Sequence, residues 1–402
     1  MFLWEETNAK NERKKAIYRF IRKNKKLGIA EIKEQMSLAH ATAVRVVDSM
    51  LEEKLLIEAG EGESSGGRKP VLYAINPTKQ YVIGIELSGL YSTILLMNLN
   101  LEILSEKKIK MTDQLDQKMI KDFIVHTIRN LMQERDLDIS DLLGVGIGVL
   151  SGSHPSLMRD DRKNLKNFKN WDLEKMKEEI SREIKRPLMI GSATNLAALV
   201  EYRKNYWQEE SNLIFVSNDL VVRSSIILNG SILYKGKDLT ENFGHVIVNP
   251  NGKKCTCGNY GCLNAEASLT AIYEEATKRL KAGAESSLTK DLEDFNDLSY
   301  YQLLKGIEEE DPLSLEILDE GIYYFALALV NLALQMNPKR IILGGTLAAR
   351  PYFFEQVKRA VEKGLSQFSS VQCDIQTASE SFNTVAQGAG CMVIDRMTGE
   401  AD

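Results

Sequence analysis

The sequence of 402 residues predicts an α/β protein in which a small winged helix-turn-helix head precedes a two-lobed body. Three observations predict this fold. The first part of the chain carries three helical segments, then a strand, a glycine-rich tip and a returning strand. The remainder alternates buried strands and helices in two successive units. The chain is also too long for one ordinary core, so more than one domain is expected.

The head is predicted over residues 1–78. Apolar residues at helical spacing mark a first helix around Ala16–Ile21, a second near Ile29–Met36 and a third at about His40–Glu53. The strand-like segments LLIEAG and VLYAINP flank the tip EGESSGGRKP. Helix, helix, turn, helix and hairpin follow one another as in a winged helix-turn-helix module.

In such a module the third helix enters the major groove, and its early residues face the base edges. Arg45 can donate to guanine, and Thr42 can reach a base or a phosphate. The wing tip adds two cations suited to phosphates or to the minor groove. The predicted DNA-binding residues are His40, Ala41, Thr42, Arg45, Arg68 and Lys69. A protein-docking module is the alternative interpretation of the same pattern.

Charge is unevenly spread along the chain. Residues 1–80 carry 15 basic and 11 acidic residues, whereas the remainder carries 36 against 45. A basic head on an acidic body indicates that only the head meets a polyanion, although a solvated basic helix face is also compatible. The sequence has no apolar run near the roughly 18 residues that cross a bilayer and no secretory signal, so we expect a cytoplasmic protein without a membrane partner.

The body is predicted as two α/β lobes. The first covers residues 79–192 together with a C-terminal helix at 385–402, and the second covers residues 193–384. YVIGIELSGLYSTILLMNLNLEIL predicts a hairpin, which a helix near 115–135 and the buried strand LLGVGIGVLSG follow. In the second lobe NLIFVSN and VVRSSIILNGSILYKG predict strands, and a helix around Leu315–Met336 precedes the strand RIILGGTL.

Three of the five cysteines lie within eight residues, in CTCGNYGC at 255–262. Glycines between them favour a tight loop that points Cys255, Cys257 and Cys262 inward, and His245 is the expected fourth donor. Three thiolates and one imidazole make a closed tetrahedral Zn²⁺ site, which is structural because no coordination position stays open. The spacing is not that of a C-x-x-C redox pair. Buried thiols without a metal are the alternative.

ENFGHVIV and CTCGNYGCL resemble the zinc signature of the ROK family, which groups repressors, open reading frames and sugar kinases. The resemblance covers nearly the whole chain and includes SSGGRKP, NWDLEKMKEEISREIKRPL and MNPKRIILGGTL. It implies an actin-like or hexokinase-like body with a ribonuclease H-like fold. Because the family's kinases lack the head, it further implies a transcriptional regulator similar to the repressors of xylose and N-acetylglucosamine genes.

The resemblance also implies that the kinase chemistry is lost. Family kinases carry a catalytic aspartate, needed as a base, at the position that Ala193 occupies here. The two phosphate loops have changed to Glu86-Leu87-Ser88-Gly89-Leu90 and Asp219-Leu220-Val221-Val222-Arg223. Branched side chains block the close approach to a phosphate that glycine allows, and Asp219 would repel one. Gly344-Gly345 persists. We therefore expect no phosphotransfer.

By the same resemblance, the cleft between the lobes binds a sugar effector. The implied effector-binding residues are Ser192, Asn195, Asn242, His245 and Asn264. At Asn242 and Asn264 the family has glutamate, so amides replace strong acceptors of sugar hydroxyl protons. This exchange favours a different ligand, such as an anionic or modified sugar, and a decayed pocket is the alternative.

The sequence thus predicts a DNA-binding transcriptional repressor of carbohydrate-metabolism genes that senses a sugar or sugar derivative in a degenerate kinase-type cleft. A homodimer or tetramer would place two heads on an inverted repeat of double-stranded DNA. Two alternatives stay open, an active sugar kinase with a regulatory head and a pseudo-enzyme that serves as a protein-interaction scaffold.

Overall fold

The computed structural model describes residues 9–63, 69–88, 91–112, 115–149, 171–209, 212–233, 239–289, 298–379 and 383–400. The head consists of helices around a small antiparallel sheet. Its elements are α1 (Ala9–Asn24), β1 (Leu27–Gly28), α2 (Ile29–Gln35), α3 (His40–Glu52), β2 (Leu56–Glu61) and β3 (Val71–Ile75). Strand β3 lies between β1 and β2. Helix α3 starts without a side-chain cap, because Ala39 precedes it and has no acceptor.

The first lobe is built on a five-stranded sheet. Its strands are β4 (Tyr81–Leu87), β5 (Tyr91–Asn98), β6 (Ile103–Lys110), β7 (Leu142–Val149) and β8 (Leu188–Ser192), in the order β6-β5-β4-β7-β8. Strands β4 to β6 are antiparallel, and β7 and β8 run parallel to β4. Helices α4 (Gln117–Gln133) and α5 (Leu173–Ile184) share an apolar cluster with this sheet. Strand β7 is buried at every position, as expected for a strand covered on both faces.

The second lobe repeats the same strand order. Its strands are β9 (Leu213–Asn218), β10 (Val222–Leu228), β11 (Ser231–Ile232), β12 (Arg340–Gly344) and β13 (Asp374–Thr377), in the order β11-β10-β9-β12-β13. Its helices are α6 (Ala193–Glu201), α7 (Leu263–Ala267), α8 (Leu269–Lys281), α9 (Tyr300–Glu308), α10 (Pro312–Met336), α11 (Gly345–Ala348) and α12 (Pro351–Leu365). The α/β fold with a winged helix-turn-helix head and a two-lobed body is confirmed.

Helix α13 (Thr384–Thr398) packs across β4 and β7 of the first sheet and against α6. Glycines in the strands allow its backbone to come very close. A Cβ atom on Gly84 would lie 1.9 Å from the Ala386 carbonyl oxygen, and one on Gly146 would lie 2.0 Å from that of Ala389. The helix therefore rests on the sheet at backbone contact.

The head is not held by a linker alone. One apolar cluster contains Ile17 and Ile21 of α1 together with Val82, Val200 and Ile394 of the body. Outside this cluster, the Arg19 guanidinium donates to the Gly399 carbonyl over 2.9 Å. The head and the first lobe thus share one core.

Helix α10 is, among the described residues, the one helix long and apolar enough to cross a membrane by length and composition. Half of its most apolar window is buried within the protein. It packs against α7, α8, α9 and α12 in the main apolar cluster of the second lobe. These contacts are those of a core helix, and a core helix can also be long and apolar enough to cross a membrane.

Candidate functional site

The four residues predicted to bind zinc lie together. His245 is at the end of a 3₁₀ helix (Leu239–His245), and Cys255, Cys257 and Cys262 are on the loop that follows. Their donor atoms all lie within 4.8 Å of one another. Cys257 Sγ is 3.6 Å from Cys262 Sγ, and Cys255 Sγ is 3.6 Å from His245 Nδ1. Sulfurs around a tetrahedral Zn²⁺ lie about 3.8 Å apart, so the residues present fit this metal.

The loop that carries the thiols is held by its own backbone. The Cys255 N–H donates to the Asn259 carbonyl over 2.8 Å, and the Gly261 N–H donates to the Lys253 carbonyl over 2.8 Å. Gly261 has a φ of +67°, and a Cβ atom there would lie 1.5 Å from the Asn249 carbonyl oxygen. No other residue type fits this position.

Glu266 fixes the same loop from α7, a contact that the sequence did not indicate. Its carboxylate accepts a hydrogen bond of 2.7 Å from the Lys253 N–H. A Cβ atom on Gly252 would lie 1.9 Å from the same carboxylate oxygen, so the glycine makes room for it. Glu266 therefore supports the metal-binding loop without being a ligand.

Burial raises the pKa of the Cys262 thiol to about 12, with contributions from the neighbouring Cys257 and Cys255. Thiols packed so closely disfavour one another's ionised form. A cation between them reverses this preference, because a coordinating thiol is deprotonated. The four donors can thus hold a metal ion.

Two of the predicted effector residues flank the start of α6. Ser192 ends β8, and its Oγ lies 3.4 Å from Oγ1 of Thr240, on the 3₁₀ helix that leads to His245. Asn195, in the first turn of α6, accepts a 2.7 Å hydrogen bond from the Ser225 hydroxyl of β10. The start of α6 is therefore joined to both the 3₁₀ helix and β10.

Two other predicted effector residues, Asn242 and Asn264, lie before and after the cysteine loop in the sequence. Asn264 is in α7, and its Oδ1 accepts a 2.6 Å hydrogen bond from the Val222 N–H. Its buried Nδ2 has no hydrogen-bond partner within the described part of the chain. Asn242 is exposed, three residues before His245 on the same 3₁₀ helix. Asn264 thus has a structural role that the sequence did not reveal.

The segment that the resemblance aligns with the second phosphate loop of the kinases is closed by its own aspartate. Asp219 Oδ1 accepts a 2.6 Å hydrogen bond from the Thr346 N–H at the start of α11, and Oδ2 accepts one of 2.7 Å from the Ser217 hydroxyl. Backbone N–H groups at the start of a helix are the donors that bind phosphate in nucleotide sites. Here a side chain already uses this donor.

Glu86, at the end of β4, lies in the segment that the resemblance aligns with the first phosphate loop of the kinases. Burial raises the pKa of its carboxyl to about 7, and the nearby Asp219 charge adds to the rise. The carboxyl groups of Glu86 and Asp219 are thus close enough to influence each other's charge. Gly89 and Leu90 of this loop lie outside the described residues.

The predicted DNA-binding residues of α3 lie at its N-terminal end. His40, Ala41 and Arg45 are exposed, and Thr42 is half-buried, while Ala43, Val47 and Met50 face inward. In the wing Lys69 is exposed, and Arg68 lies outside the described residues. The exposed side chains share the start of one helix.

Several basic residues of α1 pair within the protein, which the composition did not indicate. Lys14 forms a salt bridge with Glu53 of the head. Arg22 pairs with Asp395 of α13 at 2.7 Å. These partners are far away in the sequence, so spacing along the chain gave no signal of them.

Comparison with known proteins places the chain in a family. Residues 82–396 match the model of the ROK family. The xylose repressor of Bacillus subtilis (strain 168) is 25% identical over 398 residues, which cover 98% of each chain. A glucokinase of Halalkalibacterium halodurans is 26% identical over 269 residues, or 66% of this chain and 80% of its own.

A solved structure shares the fold over the full length, head included. It is a ROK family transcriptional regulator, homologous to the Escherichia coli MLC protein, with a TM-score of 0.71 and 22% identity. The match covers 97% of this chain and 96% of that one. The family that the sequence motifs resemble is confirmed: the chain belongs to the ROK family.

Proposed function

We propose that the chain is a DNA-binding transcriptional repressor of carbohydrate-metabolism genes and that its cleft binds a sugar or sugar derivative. The observation that carries this function is a winged helix-turn-helix head that shares one core with a ROK body. The full-length similarity to a xylose repressor supports it. In this function His40, Ala41, Thr42 and Arg45 contact bases, while Arg68 and Lys69 contact the backbone of DNA.

The cleft senses a ligand and does not phosphorylate it. Ala193 offers no base to take the proton of an attacked hydroxyl. The hydrogen bond from the Thr346 N–H to Asp219 supports the loss of nucleotide binding, because this N–H is then not free to donate to a phosphate. Ser192, Asn195, Asn242, His245 and Asn264 are the proposed effector residues.

The Cys₃His cluster holds Zn²⁺ in a structural role. His245, Cys255, Cys257 and Cys262 fill all four positions of a tetrahedral metal, so no position is left for chemistry. Bound zinc would hold the loop of residues 249–262 against α7. Because His245 Nδ1 is the nitrogen beside the thiols, Nε2 is the one to donate to a ligand hydroxyl.

The assembly that fits this function is a cytoplasmic homodimer or tetramer. Two heads related by a two-fold axis match the two halves of an inverted repeat. A ligand that binds one arrangement of the lobes more tightly than the other would change the affinity for DNA by that difference.

The function is tested by selecting DNA fragments from the host genome with the purified chain and measuring their binding at several salt concentrations. We expect the logarithm of the binding constant to fall linearly with the logarithm of salt concentration, as counterion release requires. A protein-interaction scaffold would select no fragments. In a coupled ATPase assay with xylose and with N-acetylglucosamine we expect no sugar-dependent turnover, whereas turnover would establish the kinase alternative.

A further inference from the structure

The first helix of the head is tied to the body by a buried cluster of charges. Arg22 of α1 donates to Asp395 Oδ1 over 2.7 Å and to Glu400 Oε2 over 2.6 Å. The second oxygen of Asp395, Oδ2, accepts a 2.8 Å hydrogen bond from Arg203 Nε. These four side chains are between 3% and 8% exposed. Asp395 therefore bridges an arginine of the head and an arginine of the body.

Both arginines also contact the ring of Trp207. The guanidinium groups of Arg203 and Arg22 lie 4.4 Å and 5.1 Å from the centre of the Trp207 ring, within the range of cation–π attraction. The Gln208 side chain, next to this ring, donates to the Lys23 carbonyl of α1 over 3.2 Å. The segment that carries Arg203, Trp207 and Gln208 is thus fixed to α1 at several points.

This segment continues directly from α6, whose first turn carries the proposed effector residue Asn195. Every residue of α6 is buried, and its end leads into a π-helical turn at Tyr202–Tyr206 that contains Arg203. Single π turns within α-helices are uncommon and occur often at functional sites. Conversion of this turn to α-helix would change the direction in which Arg203 and Trp207 point.

Burial makes the connection stiff. Separating one partner from a buried ion pair leaves an uncompensated charge and is strongly unfavourable. A shift of Arg203 therefore either moves Asp395 and Arg22 with it or breaks the pair at a large cost.

We propose that the Arg22–Asp395–Arg203 bridge couples the ligand cleft to the DNA-binding head, an inference that rests on the proposed function. Binding beside Ser192 and Asn195 displaces α6 and its π turn, and the bridge passes this displacement to α1. Arg203 and Asp395 are positioning residues that contact neither the ligand nor DNA.

The coupling is tested by hydrogen exchange and mass spectrometry on the full chain, without ligand or DNA. Ser225→Ala removes the hydrogen bond to Asn195 and so disturbs the first turn of α6. We expect amides of α1 to exchange about three- to thirtyfold faster in this variant, while those of α4, on the opposite face of the first sheet, keep their rates. In an Arg203→Met chain, adding Ser225→Ala should change α1 exchange no further.

Arg279→Met is the control for loss of a paired arginine, because Arg279 forms its ion pairs within the second lobe, with Glu275, Glu316 and Glu320. In that background Ser225→Ala should still accelerate exchange in α1. If Arg203→Met does not fold, Arg203→Lys replaces it, since it keeps the charge and loses the planar fork. It should reduce the response of α1 to Ser225→Ala.

The proposal is overturned if Ser225→Ala leaves α1 exchange unchanged, or if its effect is the same with and without the Arg203 substitution. These outcomes are independent of the proposed function. A chain whose α1 responds as expected but which selects no DNA would retain the coupling and lose the repressor assignment.

Discussion

The carboxylate of Asp219 accepts two hydrogen bonds, and one of them comes from the backbone N–H of Thr346. A phosphate group at this point would have to displace the aspartate and overcome its charge. In the proposed function, Ala193 offers no base, and Asp219 occupies a backbone N–H that could bind phosphate. These two features would act on different steps, so reversing one would leave the other.

We predict that Ala193→Asp alone does not create a sugar kinase. The restored carboxylate could accept a proton. The backbone N–H of Thr346, which could donate a hydrogen bond to a phosphate, would still be occupied by Asp219. A coupled ATPase assay with xylose should give the same background for the variant and the wild type. Sugar-dependent turnover by the single variant would mean that Asp219 does not prevent nucleotide binding.

Glu86 makes the stability depend on pH in a defined direction. Its folded-state pKa of about 7 lies above the ordinary value of 4.5, so the folded protein prefers the neutral carboxyl. Its contribution to stability is complete below pH 4.5 and is lost as the pH rises through 7. We predict that Glu86→Gln is more stable than the wild type at pH 8, by about 1–3 kcal/mol.

Urea unfolding at pH 5 and at pH 8 measures this difference. The two proteins should differ less at pH 5, where the wild-type carboxyl is mostly neutral in the folded state. Asp116→Asn, at the exposed N-terminus of α4, is a control for the general effect of removing a carboxylate. Equal stability of Glu86→Gln and wild type at pH 8 would contradict the prediction.

Among the elements, the loop of residues 249–262 has little apolar material of its own and depends on backbone hydrogen bonds and on Glu266. A metal contributes folding free energy at such a loop, since its ligands are brought together only in the folded chain. We predict that Cys257→Ser loses bound zinc and lowers the free energy of unfolding by more than about 3 kcal/mol.

Metal analysis of the purified protein and urea unfolding measure the two effects. Cys373→Ser is the matched control, because Cys373 lies outside the cluster and its substitution should leave the metal content unchanged. A Cys257→Ser protein with a full equivalent of zinc would contradict the assignment of this thiol.

Helix α3 and the wing make separable contributions to DNA binding. Arg45 is exposed near the start of α3, and Lys69 is exposed at the wing. We predict that Arg45→Ala weakens binding to a selected site by about 1–3 kcal/mol and relaxes its sequence preference, whereas Lys69→Ala weakens all sequences alike and lowers the salt slope by about one.

Fluorescence anisotropy with a selected and a scrambled duplex separates the two cases. Lys107→Ala, an exposed lysine on β6 of the body, should bind as the wild type does. Loss of binding by Lys107→Ala to the same extent as by Lys69→Ala would indicate a general charge effect and not a wing contact.

At the scale of the whole molecule, α13 joins distant parts of the chain. It rests on glycines of the first sheet and carries Asp395, which binds the head.

We predict that Gly146→Ala destabilises the protein by about 3 kcal/mol or more, because the added methyl group meets the Ala389 backbone. Gly191→Ala, on the neighbouring strand, should cost about 1 kcal/mol, since only the Leu196 side chain has to move. Urea unfolding compares the two, and equal costs would contradict the close contact.

Much of the fold could be predicted because its signals are local. Helical spacing predicted a helix at about His40–Glu53, and the structure has His40–Glu52. The cysteine spacing and the upstream His245 predicted a cluster of four donors, and these four side chains lie together in the structure. The DNA-binding and effector residues stay predictions, although the structure locates them.

The long-range contacts could not be predicted in this way. In the sequence Arg22 is one of many basic residues in the first helix. In the structure it is buried against Asp395, 373 residues away. Asn264 reads as a ligand-binding amide, yet its oxygen holds the Val222 N–H. Such pairings depend on how the elements pack, and neither periodicity nor charge counts contain that information.

The position of α13 also has a consequence for biosynthesis. The strands that it covers, β4 and β7, leave the ribosome more than 200 residues before it does. At ordinary translation rates this interval lasts on the order of tens of seconds. During that time the glycine-lined surface of the first sheet lacks its cover, and Arg22 lacks its anion. We therefore expect the nascent chain to bind chaperones until α13 emerges. The head is synthesised first, but it is expected to reach its final packed position last.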